Sequence, residues 1–343
     1  MPDVLGGLGG FGPTLLIALL VTLRVYGVVI GAFVMRRLGR LPSDGSGVLQ
    51  RLLIDVLFPA LIVSNLLGDA RFDDAAELWL PPTVGFAFTT LGFGLGLLVG
   101  HVAGGLLGLR TAGQRRAFAV AVGMANYGYL PIPLTEAFVT DGLVPATTLP
   151  TLFVHNVGVD LALWSIGILI ISGGGFSEGV GGVLKRVVNM PLVTILVVLA
   201  LNLLGVTRDS AAAEWVLALC GFLGAAAIPV ALVMTGMAIA DVWGESSLLR
   251  RGGWRVALGG SLLRLVLLPV LMLTLALALP AHEQPMRSAL AVQAAMPAAL
   301  FPIVLSRIYG ADTATAVRVS VTTAVVAFVT IPLWLALGLT LIS

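Results

Sequence analysis

The chain has 343 residues, of which 58% are hydrophobic and 10% charged, and its mean hydropathy is +1.06. This composition is too apolar for a soluble protein, and no polar stretch is long enough to form a soluble domain. A net charge of +2 gives no basic surface for nucleic acid, and the lone Cys220 provides neither a disulfide nor a metal cluster, so we expect no cofactor.

Ten apolar runs follow along the chain, each near the roughly 20 residues that a helix needs to cross a hydrocarbon core. They are rich in Gly and Ala and lack the alternation of polar residues that is typical of a membrane barrel. We therefore predict an all-α membrane protein with ten transmembrane helices, at residues 13–35, 52–68, 81–107, 117–138, 146–172, 187–205, 214–240, 254–280, 287–309 and 314–341.

The basic residues indicate how these runs are oriented. Fourteen follow odd-numbered runs: Arg36, Arg37, Arg40, Arg51, Arg110, Arg115, Arg116, Lys185, Arg186, Arg250, Arg251, Arg255, Arg307 and Arg318. Three lie on the other side: Arg71, Arg208 and Arg287. The positive-inside rule therefore predicts a multi-pass protein of the cell membrane with both termini on the extracytoplasmic side. Arginine outnumbers lysine eighteen to one, which favours a bacterial inner membrane.

Landmarks recur between the two halves of the chain. Pro59 and Pro229 are 170 residues apart, Pro133 and Pro302 are 169 apart, and Trp164 and Trp334 are again 170 apart. Because each half holds five spans, an odd number, the second half must insert upside down relative to the first. We predict two inverted five-helix repeats, at 1–172 and 187–343, joined by a Gly-rich cytoplasmic linker at 173–186.

Two of the predicted spans, the fourth and the ninth, contain prolines near their middle. The segments are NYGYLPIP at 126–133 and MPAALFP at 296–302. Proline removes a backbone donor and clashes with the preceding turn, so each span is expected to break into two half-helices. Broken backbone at membrane depth is tolerated only inside protein or around a cavity, and paired broken spans are typical of a transporter's binding site.

The order of these motifs resembles the auxin efflux carrier family. It runs from FPALIVSNL and NYGYLPIPL through NMPLVTILVVLALNL and AIPVALVMTGMAIA to QAAMPAALFPIVLSRIYG, and it covers almost the whole chain. The resemblance implies a homodimer with a scaffold from helices 1, 2, 6 and 7 and a transport domain from helices 3–5 and 8–10. It also implies that broken helices four and nine cross at Pro133 and Pro302, with the substrate beside the crossing. The family is similar in fold to the bile acid:sodium symporters.

A helix break at midplane exposes backbone N–H groups and a positive dipole end, which favour an anion. Asn126 and Gln293 can add amide donors to a carboxylate, and Tyr127 and Tyr129 add rings and hydroxyls. The substrate-site candidates are Asn126, Tyr127, Gly128, Tyr129, Pro133, Gln293, Pro297 and Pro302. The alternative is that the prolines only bend the helices and the amides only bond between helices.

Ionisable residues inside a membrane are functional candidates, because they are unfavourable there when unpaired. The coupling candidates are His155, Asn156, Asp160, Glu136 and Arg264. Asp160 or His155 can exchange a proton during transport, or Asp160 and Arg264 can form a static buried pair. Glu136 is a candidate for a cation site, and Arg264 for direct contact with an anionic substrate.

These features predict a secondary transporter, an exporter by family likeness, that moves a small organic anion such as a carboxylate by an elevator-type displacement. A proton or the membrane potential is the expected driving force. Two alternatives stay open: a sodium-coupled symporter of the bile acid type, and a non-transporting membrane sensor on the same scaffold. No phosphate loop or HExxH pattern occurs, so we do not expect an enzyme.

Overall fold

The computed structural model describes residues 10–69, 78–174, 189–206, 211–243 and 253–342. Within these ranges every regular element is helical, which confirms the all-α prediction, and the only β pairing is an isolated bridge. The helices are α1 (Phe11–Arg37), α2 (Ser43–Leu66), α3 (Leu80–Val102), α4 (Ala112–Gly123), α5 (Pro131–Thr140), α6 (Thr148–Ser172), α7 (Met190–Leu203), α8 (Ala211–Ala225), α9 (Ala227–Trp243), α10 (Gly253–Ala278), α11 (Gln284–Ala294), α12 (Phe301–Ile308) and α13 (Thr313–Ile342).

Seven stretches of the described chain are long and apolar enough to cross a membrane: α1, α2, α3, α6, α10, α13 and the continuous run Ala213–Trp243. Helix α7 is apolar but shorter. Helices α4, α5, α11 and α12 have only 12, 10, 11 and 8 residues, and they lie in the two runs with central prolines. The count of ten spans and the inverted repeat stay predictions. Most of the predicted linker at 173–186 falls outside the described residues, as do Arg71, Lys185, Arg186, Arg208, Arg250 and Arg251.

A proline also lies next to a π turn inside a continuous span. In α10 a π turn at Leu263–Leu267 comes just before Pro269. Proline has no N–H, so the carbonyl of Leu265, four residues earlier, lacks the donor that a regular α-helix would supply. The indole Nε1–H of Trp334 in α13 donates to that carbonyl oxygen at 2.7 Å. Trp334, one of the two tryptophans that lie 170 residues apart, therefore supplies a hydrogen bond to the backbone of a neighbouring span.

We divide the helices into two groups, the predicted scaffold (α1, α2, α7, α8 and α9) and the predicted transport domain (α3–α6 and α10–α13). Helix α2 packs on α7 and α8, and α1 packs on α9. In the other group, α3 packs on α4 and α6, α10 packs on α11 and α13, and α13 also packs on α4, α11 and α12. Helix α1 contacts α13 across the boundary, where the Tyr26 hydroxyl donates to the Ala324 carbonyl oxygen at 3.2 Å. The two segments with central prolines lie in the second group.

Glycines allow close approach between the helices that support this second group. A Cβ at Gly158 of α6 would overlap the carbonyl oxygen of Pro82 in α3, and one at Gly85 of α3 would overlap the carbonyl oxygen of His155. Small residues that let two backbones meet are typical of membrane helix interfaces. The close contact between α3 and α6 thus fixes the position of His155, and of the residues that follow it, relative to α3.

Replacing Gly158 by alanine is expected to lower the free energy of unfolding by about 3 kcal/mol, because the new methyl group must displace backbone rather than a flexible side chain. The measurement is the melting temperature of the purified variant in detergent. Gly94→Ala is the matched control, since a Cβ at Gly94 in α3 meets nothing within 4 Å. A Gly158→Ala protein that melts like Gly94→Ala would contradict the packing described here.

Candidate functional site

Both segments with central prolines are broken where the sequence predicts interruption. Helix α4 ends at Gly123 and α5 begins at Pro131, and α11 ends at Ala294 while α12 begins at Phe301. Pro133 and Pro302 lie in the first turns of α5 and α12. Proline is tolerated there because the first N–H groups of a helix have no intrahelical acceptor.

The two breaks meet and pair through their backbones, at a place that we call the crossing. Ala125 and Ala298 form an isolated antiparallel bridge. The N–H of Asn126 donates to the carbonyl oxygen of Pro297 at 2.8 Å, and the N–H of Ala299 donates to that of Met124 at 2.9 Å. The backbones therefore pair away from Pro133 and Pro302, the residues at which the resemblance implied a crossing. The crossing lies a few residues earlier in each span, because a bridge needs N–H donors that proline lacks.

Polar side chains of the final helix hold the second break in place. The Ser320 hydroxyl donates to the carbonyl oxygen of Ala299 at 2.6 Å. The N–H of Ala298 donates to the Thr323 hydroxyl oxygen at 3.1 Å. Both side chains are fully buried in α13. They supply the partners that the broken backbone needs away from water.

The first break is held by two amide side chains. The carbonyl oxygen of Tyr127 accepts from Asn156 Nδ2 at 2.9 Å and from Gln293 Nε2 at 3.4 Å. Gln293 Nε2 also lies 3.2 Å from Asn156 Oδ1, and His155 Nδ1 lies 3.4 Å from the same oxygen. Gln293 and Asn156 therefore make interhelical hydrogen bonds, and Gln293 Oε1 and His155 Nε2 are buried without a partner in the described chain.

Replacing Asn156 by leucine, which has a similar volume, is expected to lower the free energy of unfolding by about 1 to 3 kcal/mol, because the Tyr127 carbonyl loses its shorter hydrogen bond. Gln293→Leu removes the second donor to the same oxygen. Since either amide alone can still donate to that oxygen, only the double variant leaves it unsatisfied, and its loss is expected to exceed the sum of the single losses. The measurement is thermal unfolding of all four proteins. Fully additive losses would show that the two amides act independently.

The ionisable candidates have separate partners. The Tyr127 hydroxyl donates to Asp160 Oδ1 at 2.6 Å, and Arg264 Nε donates to the carbonyl oxygen of Met296 at 2.9 Å. A static Asp160–Arg264 pair is therefore not formed, because each group satisfies a group of the crossing instead. Glu136 lies in α5 outside this cluster, and its carboxylate has no partner in the described residues.

A small cleft adjoins the crossing on the side of the other helix group. Its lining is mostly apolar and combines both groups: Tyr26, Val29, Asn126, Leu130, Thr235, Ile239, Pro297, Ala298, Leu300 and Ala324. Sequence reasoning missed Tyr26 and Thr235. A hydroxyl side chain within an otherwise apolar run is a weak signal, and only the fold brings these two helices to the cleft.

Asn126 is the predicted residue that reaches this cleft with an unused polar group. Its side-chain amide makes no hydrogen bond to any described residue, although its backbone N–H is used in the bridge. The backbone N–H groups of residues 127–130, at the start of α5, also lack partners in the described ranges. Gly128 keeps this segment open, since nothing lies within 4 Å of its Cβ position. Tyr129 instead stacks on Phe58 of α2, with ring centroids 6.0 Å apart.

Comparison with known proteins decides the class of the chain. The model of a family described as membrane transport protein, of the auxin efflux carrier type, matches residues 18–179 and 182–335. The chain belongs to this family. A relative from Methanothermobacter thermautotrophicus, described as an uncharacterized transporter, is 28% identical over 221 residues, which are 63% of this chain and 66% of the relative.

Membership of the membrane transport family agrees with the apolar helices, and the chain is a multi-pass membrane protein of a transporter family. The family consists of transporters rather than enzymes. The matched range begins within α1 and ends within α13, so it contains both broken segments and the cleft between the helix groups.

Proposed function

We propose that this transporter is a secondary exporter of a small organic anion, with the carboxylate bound in the cleft beside the crossing. The observation that carries the proposal is the free Asn126 amide next to four backbone N–H groups without partners. All of these groups are hydrogen-bond donors, and at the N-terminal end of α5 the helix dipole adds a positive potential. A carboxylate is the ligand that such a set favours.

The backbone carbonyl oxygens at the crossing also favour an anionic substrate. A cation needs oxygen ligands, and five backbone oxygens at the breaks already accept hydrogen bonds, those of Met124, Tyr127, Met296, Pro297 and Ala299. The donors are free while these acceptors are occupied. The crossing therefore suits a negatively charged substrate better than a positively charged one.

The proposed mechanism is an elevator. The scaffold consists of α1, α2, α7, α8 and α9, and the transport domain consists of α3–α6 and α10–α13. The cleft supports this division because α1 and α9 line one side of it and the crossing lines the other. A displacement of the transport domain would carry the crossing past the scaffold. The Tyr26–Ala324 hydrogen bond, which joins α1 to α13, must break in that displacement.

Further parts of the proposal concern the cell and the assembly. We place the transporter in a bacterial inner membrane with both termini outside, which rests on the distribution of arginine in the sequence. We also propose a homodimer formed through the scaffold, which rests on family membership.

The test is transport in proteoliposomes loaded with a labelled carboxylate. Efflux is expected to accelerate when a potassium diffusion potential makes the interior negative, because the potential drives the anion out. A proton gradient and a sodium gradient are applied separately to identify a coupling ion. Liposomes without protein are the control. Movement of an amine or a neutral solute, with no movement of any carboxylate, would overturn the proposal, and a strict need for sodium would favour the symporter alternative.

A further inference from the structure

Arg264 is a buried positive charge within a span. It is 2% exposed and lies in the π turn Leu263–Leu267 of α10. A charged side chain at this depth is unfavourable unless it has partners, and π turns often occur at functional sites. The substrate cleft described above does not include this arginine.

The guanidinium is directed at the end of a half-helix. Its Nε–H donates to the carbonyl oxygen of Met296, which follows the last residue of α11 by two positions. The carbonyl end of a helix carries the negative end of its dipole, so a cation there is stabilised. Met296 precedes Pro297, whose own carbonyl oxygen forms the bridge with Asn126.

No acidic group in the described chain neutralises this arginine. The salt bridge found there is Arg36–Asp241, with a contact between His282 and Glu283 that is ionic only when the histidine is protonated. The two terminal nitrogens of Arg264 donate to no described residue. The Tyr127 carbonyl in the other break is satisfied by neutral amides. The Arg264 charge therefore lies at the second break only, and its identified partner is the backbone carbonyl of Met296.

In transporters with broken helices, unwound carbonyls and the C-terminal ends of half-helices are the usual ligands of a coupling cation. We propose that the Arg264 guanidinium is a resident cation of the crossing, which takes the place of a bound sodium ion at the end of α11. The carrier then needs no sodium to assemble its site. This inference rests on the proposed function only for its meaning in transport, because the site itself is testable without a substrate.

The test compares melting temperatures of purified proteins at constant ionic strength. The wild type is expected to melt at the same temperature in sodium chloride and in choline chloride. Arg264→Ala is expected to melt several degrees lower and to recover in low millimolar guanidinium chloride, because free guanidinium can enter the space left by the side chain. Urea at the same concentration, which is neutral and of similar shape, is expected to give no recovery.

Arg287→Ala is the matched control, since Arg287 Nε also donates to a backbone carbonyl, that of Ala276, but away from the crossing. It is expected to show no recovery with guanidinium. Wild-type protein stabilised by sodium over choline, or Arg264→Ala protein that gains no more from guanidinium than from urea, would overturn the proposal.

If Arg264→Ala cannot be purified, Arg264→Lys and Arg264→Met decide instead. Lysine keeps the charge and methionine keeps the apolar length. The proposal requires the lysine variant to be the more stable, whereas buried charges that serve only packing are often replaced by apolar residues without loss. Equal stability, or a more stable methionine variant, would overturn it. A carrier that binds no carboxylate would contradict the proposed function and leave these melting results unaffected.

Discussion

Asn126→Ala is expected to weaken carboxylate binding by about tenfold to a hundredfold. A hydrogen bond to a charged group contributes roughly 1.5 to 3 kcal/mol, and every 1.4 kcal/mol changes a dissociation constant by about tenfold. The Asn126 amide has no other partner in the described structure, so its removal leaves no buried group unsatisfied. Binding is measured by equilibrium dialysis with a labelled acid, and the melting temperature without ligand is expected to stay close to that of the wild type.

Asn65→Ala is the control for the effect of losing an amide. Asn65 lies in α2, where its Nδ2 donates to the Leu61 carbonyl oxygen within the same helix. This variant is expected to bind the acid like the wild type. Unchanged binding by Asn126→Ala, or an equal loss in both variants, would show that the Asn126 amide does not contact the substrate.

Asp160→Asn is expected to abolish the pH dependence of transport while the protein stays folded. The Tyr127 hydroxyl donates to Asp160 at 2.6 Å, so this carboxylate is the titratable group in direct contact with the first break. The amide oxygen of asparagine can still accept that hydrogen bond, but an amide does not bind or release a proton near neutral pH. The measurement is the rate of labelled carboxylate efflux from liposomes over a series of pH values.

Two further variants separate the coupling candidates. Glu136→Gln is expected to keep the pH dependence, because the Glu136 carboxylate lies outside the polar cluster. His155→Gln is expected to keep it as well, since His155 reaches the first break only through Asn156. Loss of pH dependence in His155→Gln with retention in Asp160→Asn would assign the coupling proton to the histidine.

The sequence predicted the elements well because their causes are local. Uninterrupted apolar runs set the extents of the long helices, and the prolines at 131, 133, 297 and 302 explain the two breaks without any tertiary information. The π turn before Pro269 was not predicted. The Leu265 carbonyl lacks its usual donor four residues on, and the donor that the fold supplies is 69 residues away in Trp334.

The site was predicted only in part because its hydrogen bonds join distant segments. Sequence spacing identified Asn126, Gln293 and Asp160 as polar groups at unfavourable depths, but it did not give their partners. The prediction paired Arg264 with Asp160 by charge alone, whereas in the fold Arg264 donates to the backbone carbonyl of Met296 in the second broken segment. The bridge residues Ala125 and Ala298 carry no chemical signal, since only their backbones act.

The most direct test of the central claim uses matched pairs of ligands that differ only in charge. Purified wild-type protein is screened by thermal shift with a series of carboxylic acids and the primary amide of each acid. The crossing described here, with free N–H donors beside Asn126, predicts that at least one carboxylate raises the melting temperature while its amide does not. Stabilisation by the amides or by organic cations, with none by any carboxylate, would contradict an anion site at the crossing.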